Sequence, residues 1–402
     1  MGEKIALGFH TCVDYELKWD LDAVINAIKE YDIHDDELVI DTQPTSERGI
    51  WTSTLAYMKQ GMGGEIVPST PEVCEDFAKR FQYKITIGGT STRAAIAIEK
   101  IGYSSVIQMS CYNSYIRDLL PKRIHYYSSV GLDHTDSYPH ISVTYNKGVR
   151  ICANDIDFVT SRENRVLISR DIDSQLLVIK EEFYPLMQDA EVFLMSCFSQ
   201  IVDEDILKAR LKTTKALLSH INKDTIVVAE DGCYVEKSFR YMVHRELAPC
   251  IDILSMNEDE LQEYIDRRID VLDVDAVLEA VKYVYDKVGV PTIVVHSADW
   301  AIAYGKYAYG MREALESAIT MAATRIQYGD EYGLEEYNQI KALGSKDKSV
   351  LFSKEIKELA GDIIECVPSK DMSFVKNPTV VGLGDTFIGG MLPELLKARR
   401  KF

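Results

Sequence analysis

Val380-Val-Gly-Leu-Gly-Asp-Thr-Phe-Ile-Gly-Gly390 sets glycines, an acid and a helix-forming apolar run in succession. A helix that begins here offers unpaired amides and the positive end of its dipole. Gly382, Leu383 and Gly384 are then placed to hold a phosphate while Asp385 faces a hydroxyl, which is a phosphoryl-transfer arrangement. The same residues also suit a plain strand-to-helix turn, with the glycines tightening the bend and Asp385 capping the helix. Only residues 386–402 follow.

Upstream of this run, strand-like and helical patterns alternate. Lys4–Phe9, Glu191–Ser196, Thr225–Ala229, Ile251–Ser255 and Thr292–His296 are short apolar runs that read as buried strands. Between the later ones, 203–221, 236–247 and 274–288 carry helical periodicity and the length of crossover helices. The expected fold is α/β, a doubly wound and mainly parallel sheet with a Rossmann-like core.

Two stretches depart from this alternation. Residues 14–84 mix a strand at Leu38–Asp41 with helices at 46–60 and 71–81, and 122–175 read as antiparallel strands at 141–145, 149–152 and 165–168. A turn at Asn146-Lys-Gly148 joins the first two of these strands. Both stretches are expected to form a smaller, discontinuous α+β lid over 14–84 and 122–175. The large domain then takes 1–13, 85–121 and 176–402, with Gly88-Gly89 near the hinge.

Composition bounds the partners. A net charge of −18 excludes a broad nucleic-acid surface, which needs clustered Lys and Arg. The eight cysteines show no CxxC pair or metal-finger spacing and read as buried thiols in a reducing cytoplasm. No run approaches the length of a membrane span, and no secretory leader is expected.

Gly88-Gly89 early and Gly-Leu-Gly-Asp late, in that order, resemble the ribokinase-like superfamily, and the chain as a whole looks like its ADP-dependent glucokinase and phosphofructokinase branch. Lys376-Asn-Pro-Thr-Val-Val-Gly-Leu-Gly-Asp-Thr386, Leu7-Gly-Phe-His-Thr-Cys-Val-Asp14, Ser161-Arg-Glu-Asn-Arg-Val-Leu-Ile168, Met256-Asn-Glu-Asp-Glu-Leu261 and Val295-His-Ser297 are similar to family elements in the same order. The resemblance implies that Asp385 is the catalytic base and that Arg165 stands beside the phosphates. It implies that Gly382, Leu383, Gly384, Asn257 and His296 bind the nucleotide. Asp14, Glu65, Gly88 and Gly89 are implied to bind sugar, and Glu230, Glu260 and Asp385 to organise Mg2+.

Three elements depart from the family pattern. Val228-Ala-Glu230 lacks the histidine of the family's His-x-Glu, His10 and Cys12 stand where asparagines are usual, and Gly88-Gly-Thr-Ser-Thr92 replaces Gly-Gly-Asn-Ala-Gly. For the acceptor, Glu65 in Lys59–Glu65 resembles the position where glucose-using members carry glutamate. A carboxylate there accepts from a sugar hydroxyl and repels a sugar phosphate, so glucose is expected ahead of fructose 6-phosphate. Lys147 opposes this, because it resembles a phosphate-binding lysine.

The reaction implied is transfer of the ADP β-phosphoryl group to a hexose hydroxyl, releasing AMP, with Mg2+ as cofactor. The alternatives are an ATP-dependent sugar or nucleoside kinase and a non-catalytic sugar or nucleotide sensor. Partners are expected to be the sugar and ADP, with no nucleic acid and no membrane, in a cytoplasmic monomer or small homo-oligomer.

Overall fold

The computed structural model describes residues 4–128, 138–376 and 378–398. Its main body is a nine-stranded sheet. From one edge the order runs Ile364–Pro368, Trp300–Gly305, Thr292–His296, Ile253–Asn257, Ile226–Glu230, Val192–Met195, Ile5–Phe9, Val106–Met109 and His125–Ser128. Seven neighbouring strands are parallel; Trp300–Gly305 runs antiparallel to them, and the edge strand Ile364–Pro368 pairs antiparallel with Trp300–Gly305. Their Val- and Ile-rich runs are buried on both faces, as β-branched chains allow in a covered parallel sheet. Helices Glu204–Leu218 and Val274–Val288 are capped by Asp203 and Asp273, which accept from backbone amides of their first turns.

The terminal helix Leu383–Ala398 lies between helices Thr90–Lys100 and Arg312–Tyr328. Glycines let three helices approach this closely. A Cβ on Gly389 would stand 2.7 Å from Ala97 Cβ, and one on Gly390 would stand 2.6 Å from Met321 Cβ.

A second sheet has five strands in the order Gly64–Ile66, Asn164–Ile168, His140–Tyr145, Cys12–Leu17 and Tyr83–Gly88. The chain passes from the large sheet to the small one at His10-Thr11 and returns at Gly88-Gly89. These crossings touch. A Cβ on Gly89, whose φ is +89°, would meet the His10 carbonyl oxygen at 2.6 Å, so neither the conformation nor the contact admits a side chain.

Several expectations are corrected here. Leu38–Asp41 is not a strand but coil, because Ser53 of helix Glu47–Gln60 binds it locally: its hydroxyl accepts from the Asp41 amide and donates to the Asp41 carbonyl. Strand Tyr83–Gly88, expected mostly with the large sheet, pairs with Cys12–Leu17 in the small one. Strand His125–Ser128, expected in the lid, pairs in the large sheet. The strands flanking Asn146–Gly148 do not form a hairpin. His140–Tyr145 pairs with Asn164–Ile168, while Arg150–Ala153 pairs with Ile156–Val159. Cys152 is exposed rather than buried.

Candidate active site

Between the sheets lies a cleft of about 1760 Å³. Its wall includes Asp14, Glu65, Gly89, Arg165, Glu230, Asn257, Glu260, His296, Gly382, Leu383, Gly384 and Asp385, so the structure brings nearly every nominated residue to one cavity. Gly88 is not on that wall. It makes room for a carboxylate instead, since a Cβ there would stand 2.3 Å from Asp14 Oδ1. Lys147 is exposed and also away from the wall. Asn377, quoted with the terminal motif, lies outside the described residues.

At the head of the terminal helix, the first amides have no carbonyl within the helix to bond, and Gly382, Leu383 and Gly384 line the cleft. Gly382 has φ +70°, and a Cβ on it would meet Arg93 Cδ at 2.6 Å. The turn preceding the helix is anchored by Arg325, whose Nε donates to the Val381 carbonyl at 2.8 Å. His296 packs beside this turn, 4.5 Å ring to ring from Phe387, with Nε2 at 3.8 Å from Glu230 Oε1. Burial pulls its imidazole down to about 4, so it sits neutral beside the turn at pH 7.

Sequence reasoning missed Arg93. Its guanidinium is buried, with Nη2 at 2.7 Å from Asp14 Oδ2 and Nε at 3.8 Å from Asp385 Oδ2. Burial works against the Asp14 carboxylate, but Arg93 outweighs it and holds the group below its ordinary range. Asp14 is thus committed to an internal ion pair through one oxygen. The only available signal was position, since Arg93 falls in the first turn of the helix that the glycine pair opens.

Arg165 stands elsewhere, on strand Asn164–Ile168 of the small sheet. Leu167 of that strand is in register with Glu65, so Arg165, Leu167 and Glu65 share a sheet face. Burial raises the Glu65 carboxyl, and Gln200 from the large body donates to it at 3.4 Å. The guanidinium beside Asp385 is therefore Arg93's, not Arg165's.

Asn257 and Glu260 bond reciprocally. Asn257 Oδ1 accepts from the amides of Asp259 and Glu260, and Glu260 Oε2 accepts from the Asn257 amide at 2.9 Å. Glu260 is buried rather than a solvated first-turn acid, and burial followed by the charges of Asp231 and Glu230 raises its carboxyl well above the usual range. Burial does the same to Glu230, whose Oε2 is buried without a hydrogen-bond partner. Oxygen donors strained in this way fit a hard divalent cation, which would relieve the mutual repulsion. Glu230, Glu260 and Asp385 are not gathered into a direct ligand set. Among the described residues, the side chains whose ligating atoms all lie within 4.8 Å of one another are His10, Cys12 and His140.

The cleft wall carries charges of both signs: Lys237, Lys370 and Lys376 stand among acids such as Asp231, Glu258 and Glu263, while Arg268 pairs with Asp259 and Lys346 with Asp299. No helix among the described residues is long and apolar enough to cross a membrane.

Residues 3–389 match the family described as the ADP-specific phosphofructokinase/glucokinase conserved region. Similar solved structures include a phosphofructokinase from Pyrococcus horikoshii with AMP, at 16% identity and TM-score 0.74, covering 100% of this chain and 99% of that one. An ADP-dependent kinase in complex with fructose-6-phosphate and ADPβS is similar at 14% identity and TM-score 0.78, covering 99% and 95%. The last common ancestor of ADP-dependent phosphofructokinases from Methanosarcinales aligns at 14% identity and TM-score 0.69, covering 98% and 94%. No curated protein matches the chain by sequence.

Proposed function

The chain belongs to the ADP-specific phosphofructokinase/glucokinase family and is an ADP-dependent hexose kinase that releases AMP, and we propose that Asp385 is its general base. The observation that carries this reading is the helix start at Gly382–Asp385, which opens into the same cleft as Glu65 and Arg165. An acceptor hydroxyl facing Asp385 gives its proton to the carboxylate as its oxygen attacks the β-phosphorus of ADP. The bond from that phosphorus to the α,β-bridging oxygen breaks, and AMP leaves. The amides at the head of the helix hold charge on the transferred group, and Arg93 fixes Asp385 from below.

Glu230, Glu260 and Asp385 would hold Mg2+, largely through water, and the ion when bound supplies charge neutralisation across the phosphates. Asn257 keeps Glu260 oriented through its capping pair. His296, neutral and packed against Phe387, shapes the wall beside the nucleotide without adding charge.

Glucose is the first acceptor in this reading, because Glu65 lines the cleft as a hydrogen-bond acceptor for a sugar hydroxyl. Fructose 6-phosphate is the second. Two observations favour it: the Arg165 guanidinium on the same face as Glu65, and the raised Glu65 carboxyl, which repels a phosphate less than a solvated carboxylate does. The small sheet acts as a lid hinged near Gly88-Gly89, and its closure expels water before transfer.

Thermal-shift measurements with ADP, ATP and AMP, followed by a phosphoryl-transfer screen over hexoses and hexose phosphates, test the reading. Stabilisation by ADP and AMP together with AMP-forming transfer is expected. Transfer supported by ATP alone would establish the ATP-dependent alternative, and stabilisation without any product would establish a sensor.

A further inference from the structure

We infer that His10, Cys12 and His140 form a binding site for a borderline-soft divalent cation of the Zn2+ type, placed where the chain crosses between the two sheets. All three side chains line the cleft, and their ligating atoms lie within 4.8 Å of one another. Two imidazoles and a thiolate select zinc-like ions over magnesium, which prefers oxygen. The site is therefore chemically distinct from the Glu230 and Glu260 carboxylates.

Three further observations point to a ligand. His10 Nε2 is buried and has no hydrogen-bond partner, a cost normally repaid by a contact. His140 Nε2 is held at 3.0 Å by Asp171 Oδ2, which leaves Nδ1 as the nitrogen free to ligate. A carboxylate on the far nitrogen is the usual outer partner of a metal-binding histidine, fixing the tautomer and the ring orientation. Asp171 is in turn fixed, since the same oxygen accepts from the Ser174 hydroxyl at 2.6 Å.

The backbone under the site is rigid. The Thr11 amide donates to Ser110 Oγ at 3.1 Å, Ser110 Oγ donates to the Thr11 carbonyl at 2.9 Å, and the Thr11 and Thr92 hydroxyls meet at 2.6 Å. Cys12 and Asp14 share one face of strand Cys12–Leu17, and His140 lies in register beside Asp14, which brings the thiol and the second imidazole to the same side. Bonds of about 2.0–2.3 Å to zinc require ligand separations of roughly 3.3–3.7 Å, so the set closes on the ion with shifts of about an ångström. Three protein ligands with the cleft on the fourth side leave one position for water or a substrate oxygen. Nothing in this inference depends on kinase activity.

The test is metal binding by the full-length protein after chelator treatment, titrated with Co2+ and then Zn2+ in excess Mg2+ to fill oxygen sites. One equivalent of Co2+ with a thiolate charge-transfer band, displaced by Zn2+, is expected. X-ray absorption of the Zn2+-loaded wild type should show one sulfur and two imidazole nitrogens. The double variant His10→Asn/Cys12→Asn, which restores the residues usual in the family resemblance, should lose the band. Asp171→Asn should weaken binding by about 10–100-fold at unchanged stoichiometry, and Cys152→Ser should change nothing. Absence of stoichiometric binding, a spectrum without the thiolate band, an oxygen-only shell, or full binding by the double variant would overturn the site.

Discussion

Nε of Arg93 lies 3.8 Å from Oδ2 of Asp385, placing a buried guanidinium directly behind the acid at the head of the terminal helix. The other end of the same guanidinium holds Asp14 at 2.7 Å. Removing it strands a buried carboxylate, so Arg93→Met is expected to cost about 3–5 kcal/mol in urea denaturation. Arg93→Lys keeps the charge but not the fork, and should recover part of the stability while turnover stays reduced. Equal stability of Arg93→Met and wild type would remove Arg93 from this role.

Gly382 tests the shape of the phosphate turn. Alanine there faces both a φ of +70° and a clash with the Arg93 side chain. Gly382→Ala should lower stability by about 1–3 kcal/mol and raise the KM for ADP more than that for the sugar. Thermal denaturation and steady-state kinetics read the two effects separately.

His296 gives a pH signature. Its unfolded imidazole takes up a proton near 6.5, while the folded one does so only at about 4. Between those values the folded state binds fewer protons, so this contribution to stability is whole above 6.5 and is lost as pH falls toward 4. His296→Asn should therefore lose less Tm than wild type on going from about pH 7 to about pH 5. An identical pH dependence in both proteins would contradict a neutral buried imidazole.

Glu65 is expected to select the acceptor. Glu65→Ala should reduce kcat/KM for glucose at least about tenfold, the scale of one lost hydrogen bond to a charged group, and leave fructose 6-phosphate much less affected. Equal losses on both sugars would show that Glu65 supports the fold of the lid rather than the choice of sugar.

Much of the large sheet was legible because buried parallel strands announce themselves. Ile5–Phe9 is apolar throughout and Thr292–His296 has an apolar centre, and the helices between such runs carry their own period. Leu38–Asp41 looked the same over four residues. Serine bonding from a neighbouring helix decided its conformation, and no local pattern reveals that. The small sheet was harder still. Its strand Cys12–Leu17 mixes apolar residues with Asp14 and Glu16, and Ile156–Val159, in a separate two-stranded sheet, is short and half-exposed.

The candidate site divides along the same line. Gly382 to Asp385 could be nominated because the motif is contiguous. Arg93, His140 and Asp171 acquire their meaning only from partners at least 31 positions away, so no spacing in the sequence marks them. Gly88 was assigned to sugar contact because a glycine pair resembles a binding turn, whereas the structure uses the missing Cβ to seat Asp14.

AMP formation by wild type and Asp385→Asn, followed with ADP, Mg2+ and saturating hexose, tests the central claim most directly. The account predicts one AMP per hexose phosphate for wild type, and a turnover at least about 10²-fold lower for Asp385→Asn with its ADP affinity and melting temperature nearly unchanged. Near-normal turnover by Asp385→Asn would contradict it.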